Sequence, residues 1–166
     1  PQFGGTRADR RLRAVADAVA RRDIACLRFD YGPWDGGYGE VADARNAIGW
    51  ATERYVGVGI FGYSFGGSIA LLAAAAEPVR CVSVLAPGGR LADDLDPVAA
   101  LAEVDDPVQI IYGERDTTID WEPLVERGRE RGARVIAMAA DHHFVGQAEK
   151  VATHVAEFVE THLGDR

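Results

Sequence analysis

Lysine is nearly absent: Lys150 is the only one in 166 residues, and arginine supplies every other cationic side chain apart from histidine. Basic residues number 18 against 26 acidic ones, a formal net charge of −8, which argues against nucleic acid or an anionic membrane as a partner. Histidine is scarce as well, with four positions, so a proton-transferring imidazole has few candidates. Two cysteines, Cys26 and Cys81, are no disulfide framework, and no C-x-x-C or His/Cys spacing points to a metal. Each lies in an apolar run and is expected to behave as a small buried hydrophobe. Long hydrophobic stretches are missing too: the longest, Ile69 to Ala76, is far short of a membrane span. The first residues are polar and charged, without the pattern of a signal peptide, so a soluble cytoplasmic location is expected.

What is present is an ordinary globular composition, 48% hydrophobic, in a length that suits a single domain over residues 1–166. Leu12, Val15, Ala16 and Val19 recur at spacings of three and four, which predicts an amphipathic helix over 9–22. Strands are expected at Ile24–Phe29, Val56–Phe61, Arg80–Ala86, Pro107–Tyr112 and Ala133–Ala139. Helices are expected at Glu40–Arg54, at Phe65–Glu77 before Pro78, at Glu122–Arg131 and at Gln147–Leu163. Four glycines and a proline make 31–39 a loop, and its Tyr31, Trp34 and Tyr38 are expected either to line a pocket at the edge that carries the chemistry or to be surface aromatics of a structural turn. Residues 88–103 are acidic and loosely patterned, a short cap-like insertion with room for about one helical turn. Strands alternating with helices at this spacing indicate an α/β fold: a mostly parallel sheet, about five strands in all, with helices on both faces.

The strongest local signal is Gly62-Tyr63-Ser64-Phe65-Gly66, a G-x-S-x-G between a strand and a helix. A serine hydroxyl is a weak nucleophile and must stand exposed on a sharp turn where a base can reach it. The flanking glycines remove β-carbons that would collide with strand and helix, and the Phe65 N–H opens the helix toward a developing oxyanion. Gly57, Gly59 and Gly62 also match G-x-G-x-x-G, but they fall within the strand instead of after it, so a dinucleotide site is rejected. For the base, His154 and His162 lie on the last helix, whereas His142 and His143 follow the fifth strand directly. The orienting carboxylate is expected after the fourth strand, where Gly113-Glu114-Arg115-Asp116 forms a loop; a turn or cap role for Asp116 is the alternative.

Together these features resemble the α/β-hydrolase superfamily, in particular its small dienelactone-hydrolase-like and serine hydrolase branch. The likeness rests on Pro1-Gln2-Phe3-Gly4-Gly5, Arg28-Phe29-Asp30, Gly62 to Gly67, Gly113 to Asp116 and Asp141-His142-His143-Phe144. It implies a Ser64–Asp116–His142 catalytic triad in the chain order of that fold, with His143 standing where relatives have an aromatic residue. It also implies a second oxyanion donor from the Gln2 backbone N–H, with Phe3 the alternative, beside that of Phe65. The implied enzyme is a carboxylesterase-like hydrolase of small or medium esters, thioesters or lactones, with no cofactor and no metal. Peptidase or acyltransferase action on the same serine, and a non-catalytic binding module of the same architecture, are the rival readings. In relatives a strand lies between those corresponding to Ile24–Phe29 and Val56–Phe61. Its absence predicts a truncated sequence, two strands that close up and pair directly, or a strand borrowed from a second copy in a homo-oligomer.

Overall fold

The computed structural model describes residues 4–164. Its sheet has four parallel strands in the order β1 (Gly59–Tyr63), β2 (Cys81–Leu85), β3 (Val108–Gly113) and β4 (Arg134–Met138). Each step to the next strand crosses over through one helix: α3 (Phe65–Ala74), α4 (Pro97–Glu103) and α5 (Glu122–Glu130), with α1 (Arg10–Ala20) and α2 (Tyr38–Thr52) preceding β1 and α6 (Ala148–Leu163) closing the chain. In register, Ile60 faces Val82, Val84 faces Ile110 and Ile111 faces Ile136.

The sheet is covered on both sides, as its apolar strands require. Cys81, Leu85, Ile111 and Met138 pack against α1 and α6, through Val15 and Val19 on one helix and Val151, Val155 and Phe158 on the other. Val82, Val84, Ile110 and Tyr112 face the opposite layer, where Ile48, Ile69, Leu71, Leu101 and Leu124 come from α2, α3, α4 and α5. The alternation follows from the two-residue period of a strand. Asp9 starts α1 by accepting the Arg11 N–H at 2.8 Å, and Asp96 starts α4 by accepting the N–H groups of Val98 and Ala99. The acidic insertion therefore holds a complete short helix rather than a bare loop.

The expected first strand does not form. Ile24–Phe29 has no ladder partner among the described residues, and it does not close up onto β1. Ile24 and Phe29 pack toward the two opposite cores, but the residues between them are exposed, Leu27 by 53%. A β-pattern supplies side chains for a sheet but not the neighbouring strand whose N–H and C=O groups complete it. Cys26 is consequently exposed and not buried, whereas Cys81 lies in the core, where burial pushes its thiol up to about 12. Among the described residues no helix is long and apolar enough to cross a membrane.

Candidate active site

The carboxyl ends of the strands bring the chemistry-bearing loops to one edge. At the end of β1, Ser64 takes φ 54° and ψ −123°, a strained conformation for a residue with a side chain. Its main chain is fixed on both sides: its N–H donates to the Leu85 carbonyl at 2.8 Å, and its carbonyl accepts from the N–H groups of Gly67 and Ser68. The glycines are demanded by space. A β-carbon on Gly62 would lie 2.1 Å from the Gly66 carbonyl oxygen, and one on Gly67 would lie 3.2 Å from Pro87.

Ser64 Oγ lies 2.9 Å from His142 Nε2, and His142 Nδ1 lies 2.7 Å from Asp116 Oδ2. The second carboxylate oxygen of Asp116 accepts the Thr118 N–H at 2.9 Å, so both of its oxygens are engaged in a nearly closed position. With the carboxylate accepting at Nδ1, the proton of the imidazole sits on that nitrogen and leaves Nε2 free to accept from the serine hydroxyl. The acid and histidine loops interlock through backbone. Arg115 N–H donates to Ala140 O, and a β-carbon on Gly113 would come within 2.6 Å of that same oxygen. Phe144, with φ 49°, plugs the core between α1 and α6 and thereby pins the loop that carries His142.

The structure thus brings Ser64, Asp116 and His142 together. His143 is left exposed, its ring edge-on to His142 at 5.5 Å, while His154 and His162 stay on α6. The Phe65 N–H, first in α3, has no intrahelical acceptor and points its dipole out of the helix N-terminus. Gln2 and its alternative Phe3 lie outside the described residues. Of the loop aromatics, Trp34 packs on Phe65 at 5.3 Å, Tyr31 approaches the same ring at 6.3 Å, and the Tyr38 hydroxyl donates to Asp94 at 2.5 Å.

Two residues at this edge escape sequence reasoning. The Tyr63 hydroxyl donates to the His142 carbonyl at 3.0 Å, and Arg11 donates to both the Tyr63 hydroxyl and the His143 carbonyl at 2.9 Å. The guanidinium also lies 3.9 Å over the Tyr63 ring and pairs with Asp9. Burial pushes the Tyr63 phenol upward and outweighs the opposing pull of Arg11, so the hydroxyl remains a donor. In the sequence Arg11 reads as one polar residue on the outer face of an amphipathic helix, and no motif spans the 132 positions to His143. Two surface cavities, of about 560 and 260 Å³, lie against α2 and beneath the amino ends of the strands, and neither includes Ser64, Asp116 or His142.

A family model, that of the dienelactone hydrolase family, matches residues 37–156. No curated protein sequence matches the chain. Among solved structures, the chain is similar to a Xanthomonas campestris protein assigned to the α/β hydrolase superfamily, with a TM-score of 0.83 at 19% identity over 96% of this chain and 94% of the other. A lidless α/β serine hydrolase from the same organism gives 0.82 at 22% identity over 98% and 78% of the two chains. An esterase of Pyrococcus furiosus gives 0.81 at 18% identity over 96% and 79%. At these identities the likeness is one of fold.

Proposed function

Since the chain belongs to the dienelactone hydrolase family and is a hydrolase of the α/β type, we propose that it cleaves an ester, thioester or lactone bond through an acyl-enzyme on Ser64. The observation that carries this reading is the pair of contacts at 2.9 and 2.7 Å linking Ser64, His142 and Asp116. In the first step His142 Nε2 takes the hydroxyl proton as Ser64 Oγ attacks the carbonyl carbon. Asp116 holds the ring and stabilises the imidazolium. The negative charge that forms on the carbonyl oxygen is met by the Phe65 N–H and, by family resemblance, by that of Gln2. The tetrahedral intermediate collapses, and the leaving alcohol or thiol takes the proton from Nε2. Water then attacks the acyl carbon with His142 again as base, releasing the acid and restoring the serine.

Arg11 and Tyr63 hold the histidine loop by its two carbonyls, which keeps Nε2 aimed at Oγ. The segment over 88–103 carries one short helix and one isolated bridge, too little for a large cap. The reading is therefore an open site for small or medium substrates, and the likeness to a hydrolase without a lid agrees with it. Intact-mass measurement after treatment with a fluorophosphonate tests the assignment. Wild type is expected to gain one adduct and Ser64→Ala none; equal labelling of the two refutes it.

A further inference from the structure

Trp34 is 45% exposed and packs on Phe65, the residue after Ser64, and the loop that holds it is tied to α2 by hydrogen bonds. Glu40 is fully buried, and its two carboxylate oxygens accept the N–H groups of Asp35 at 3.1 Å and Gly37 at 2.9 Å. Asp43 accepts the Gly32 N–H at 2.8 Å, so α2 grips the loop on both sides of Trp34. Gly37 takes φ 110°, a conformation that residues with a side chain rarely adopt, and a β-carbon there would press on the tip of the Leu95 side chain at 2.9 Å. Burying a carboxylate is unfavourable unless its acceptors are used, and here every use of Glu40 fixes the position of this loop. What the loop presents is an indole packed at 5.3 Å and 53° on Phe65, the residue after Ser64, with Tyr31 behind it edge-on. An exposed aromatic surface held against the residue that follows Ser64 is what a planar ligand would cover.

Charge narrows the class. Asp35, Asp93, Asp94 and Asp120 are all exposed on the loops of this edge. Arg90, on the same rim, is engaged by Asp96 at 2.8 Å. A substrate carboxylate beside Trp34 would meet the repulsion of these aspartates, while the exposed cation of this edge, Arg115, stands on the acid loop with its guanidinium donating to the Ala139 carbonyl at 3.1 Å. We propose that Trp34 and Phe65 form a subsite for an uncharged aromatic ring of the substrate, making aryl-bearing neutral esters the preferred class. This rests on the Ser64 reading above.

The test uses methyl acetate, methyl benzoate, benzyl acetate and the anion of monomethyl terephthalate, followed by pH-stat titration so that no chromogenic ring is introduced. Wild type is compared with Trp34→Ala, Trp34→Phe and Trp34→Leu, the last replacing an aromatic face by an aliphatic one of useful bulk. An aromatic contact of this kind predicts a roughly three- to tenfold fall in kcat/KM for methyl benzoate or benzyl acetate in the Ala and Leu variants. Phe should retain most of it, and methyl acetate should change less than about twofold, since it cannot reach the ring. The terephthalate anion should be a poorer substrate than methyl benzoate at low salt, the gap narrowing as salt is added. Equal losses for methyl acetate and both aromatic esters, or none for any, overturn the subsite. Methyl acetate turnover without a Trp34-dependent gap overturns this inference alone, whereas no ester turnover by wild type, matched by Ser64→Ala, overturns the hydrolase reading with it.

Discussion

Replacing Arg11 by methionine removes the guanidinium while keeping an apolar stem over Tyr63. The side chain is 17% exposed and makes contacts to Tyr63, His143 and Asp9. Hydrogen bonds from a charged group contribute about 1.5–3 kcal/mol. Two considerations reduce that figure here. The His143 carbonyl is exposed and can turn to water, and Asp9 keeps its cap on the Arg11 backbone N–H. A stability loss of about 1–2 kcal/mol follows. The catalytic effect should be larger in proportion, because the His142 and His143 carbonyls then keep only the Tyr63 hydroxyl of the two side chains that hold them. Loss of orientation of that kind costs roughly ten- to a hundredfold in kcat. KM should stay within about twofold, since Arg11 acts on the backbone of the histidine loop and its side chain is largely covered. Kinetics with p-nitrophenyl acetate, run well below the melting temperature, separate the two effects, and low millimolar guanidinium should restore part of kcat. A lowered melting temperature with kcat intact would refute the positioning role.

Other expectations follow from the same geometry. Asp116→Asn should fold normally and lose roughly 10⁴ in kcat, because an amide at Oδ2 favours the wrong tautomer of His142; steady-state kinetics with circular dichroism checks it. Gly62→Ala puts a β-carbon 2.1 Å from a backbone oxygen, so urea unfolding should show a loss at the upper end of about 1–3 kcal/mol together with inactivity. Burial alone would raise the Asp9 carboxyl, but hydrogen bonds and charge from Arg11 hold it below the usual 3.8. A folded-state value lower than the unfolded one means that its stabilisation is complete above pH 3.8 and vanishes as pH falls through the folded-state value. The Asp9 side chain is only 22% exposed, so screening trims the effect without removing it: a contribution of about 1 kcal/mol is expected, and melting curves of wild type and Asp9→Asn should converge at the acid end.

Much of the fold was legible because apolar periodicity reports burial directly. The helices α3, α5 and α6 and the strands β2, β3 and β4 fall within a few residues of their expected places. Ile24–Phe29 has the same kind of pattern and does not form a strand, because pairing depends on a neighbour that no local pattern encodes. The exposure of Cys26 follows from that same missing neighbour. Ser64, Asp116 and His142 could be singled out since each stands at a strand's carboxyl end, where topology gathers loops. Arg11 and Glu40 could not. Arg11 acts across the molecule from an ordinary polar helix position, and Glu40 looks like a solvated first-turn acid until its burial and its two bonds to the loop backbone are seen.

The most direct measurement of the central claim is hydrolysis of p-nitrophenyl acetate by wild type and Ser64→Ala at matched concentration, each shown to be folded. The account predicts turnover by wild type, with an acyl adduct trapped on Ser64, and loss of both in the variant. Equal turnover by the two proteins, or a folded wild type that neither turns over nor acquires the adduct, would contradict it.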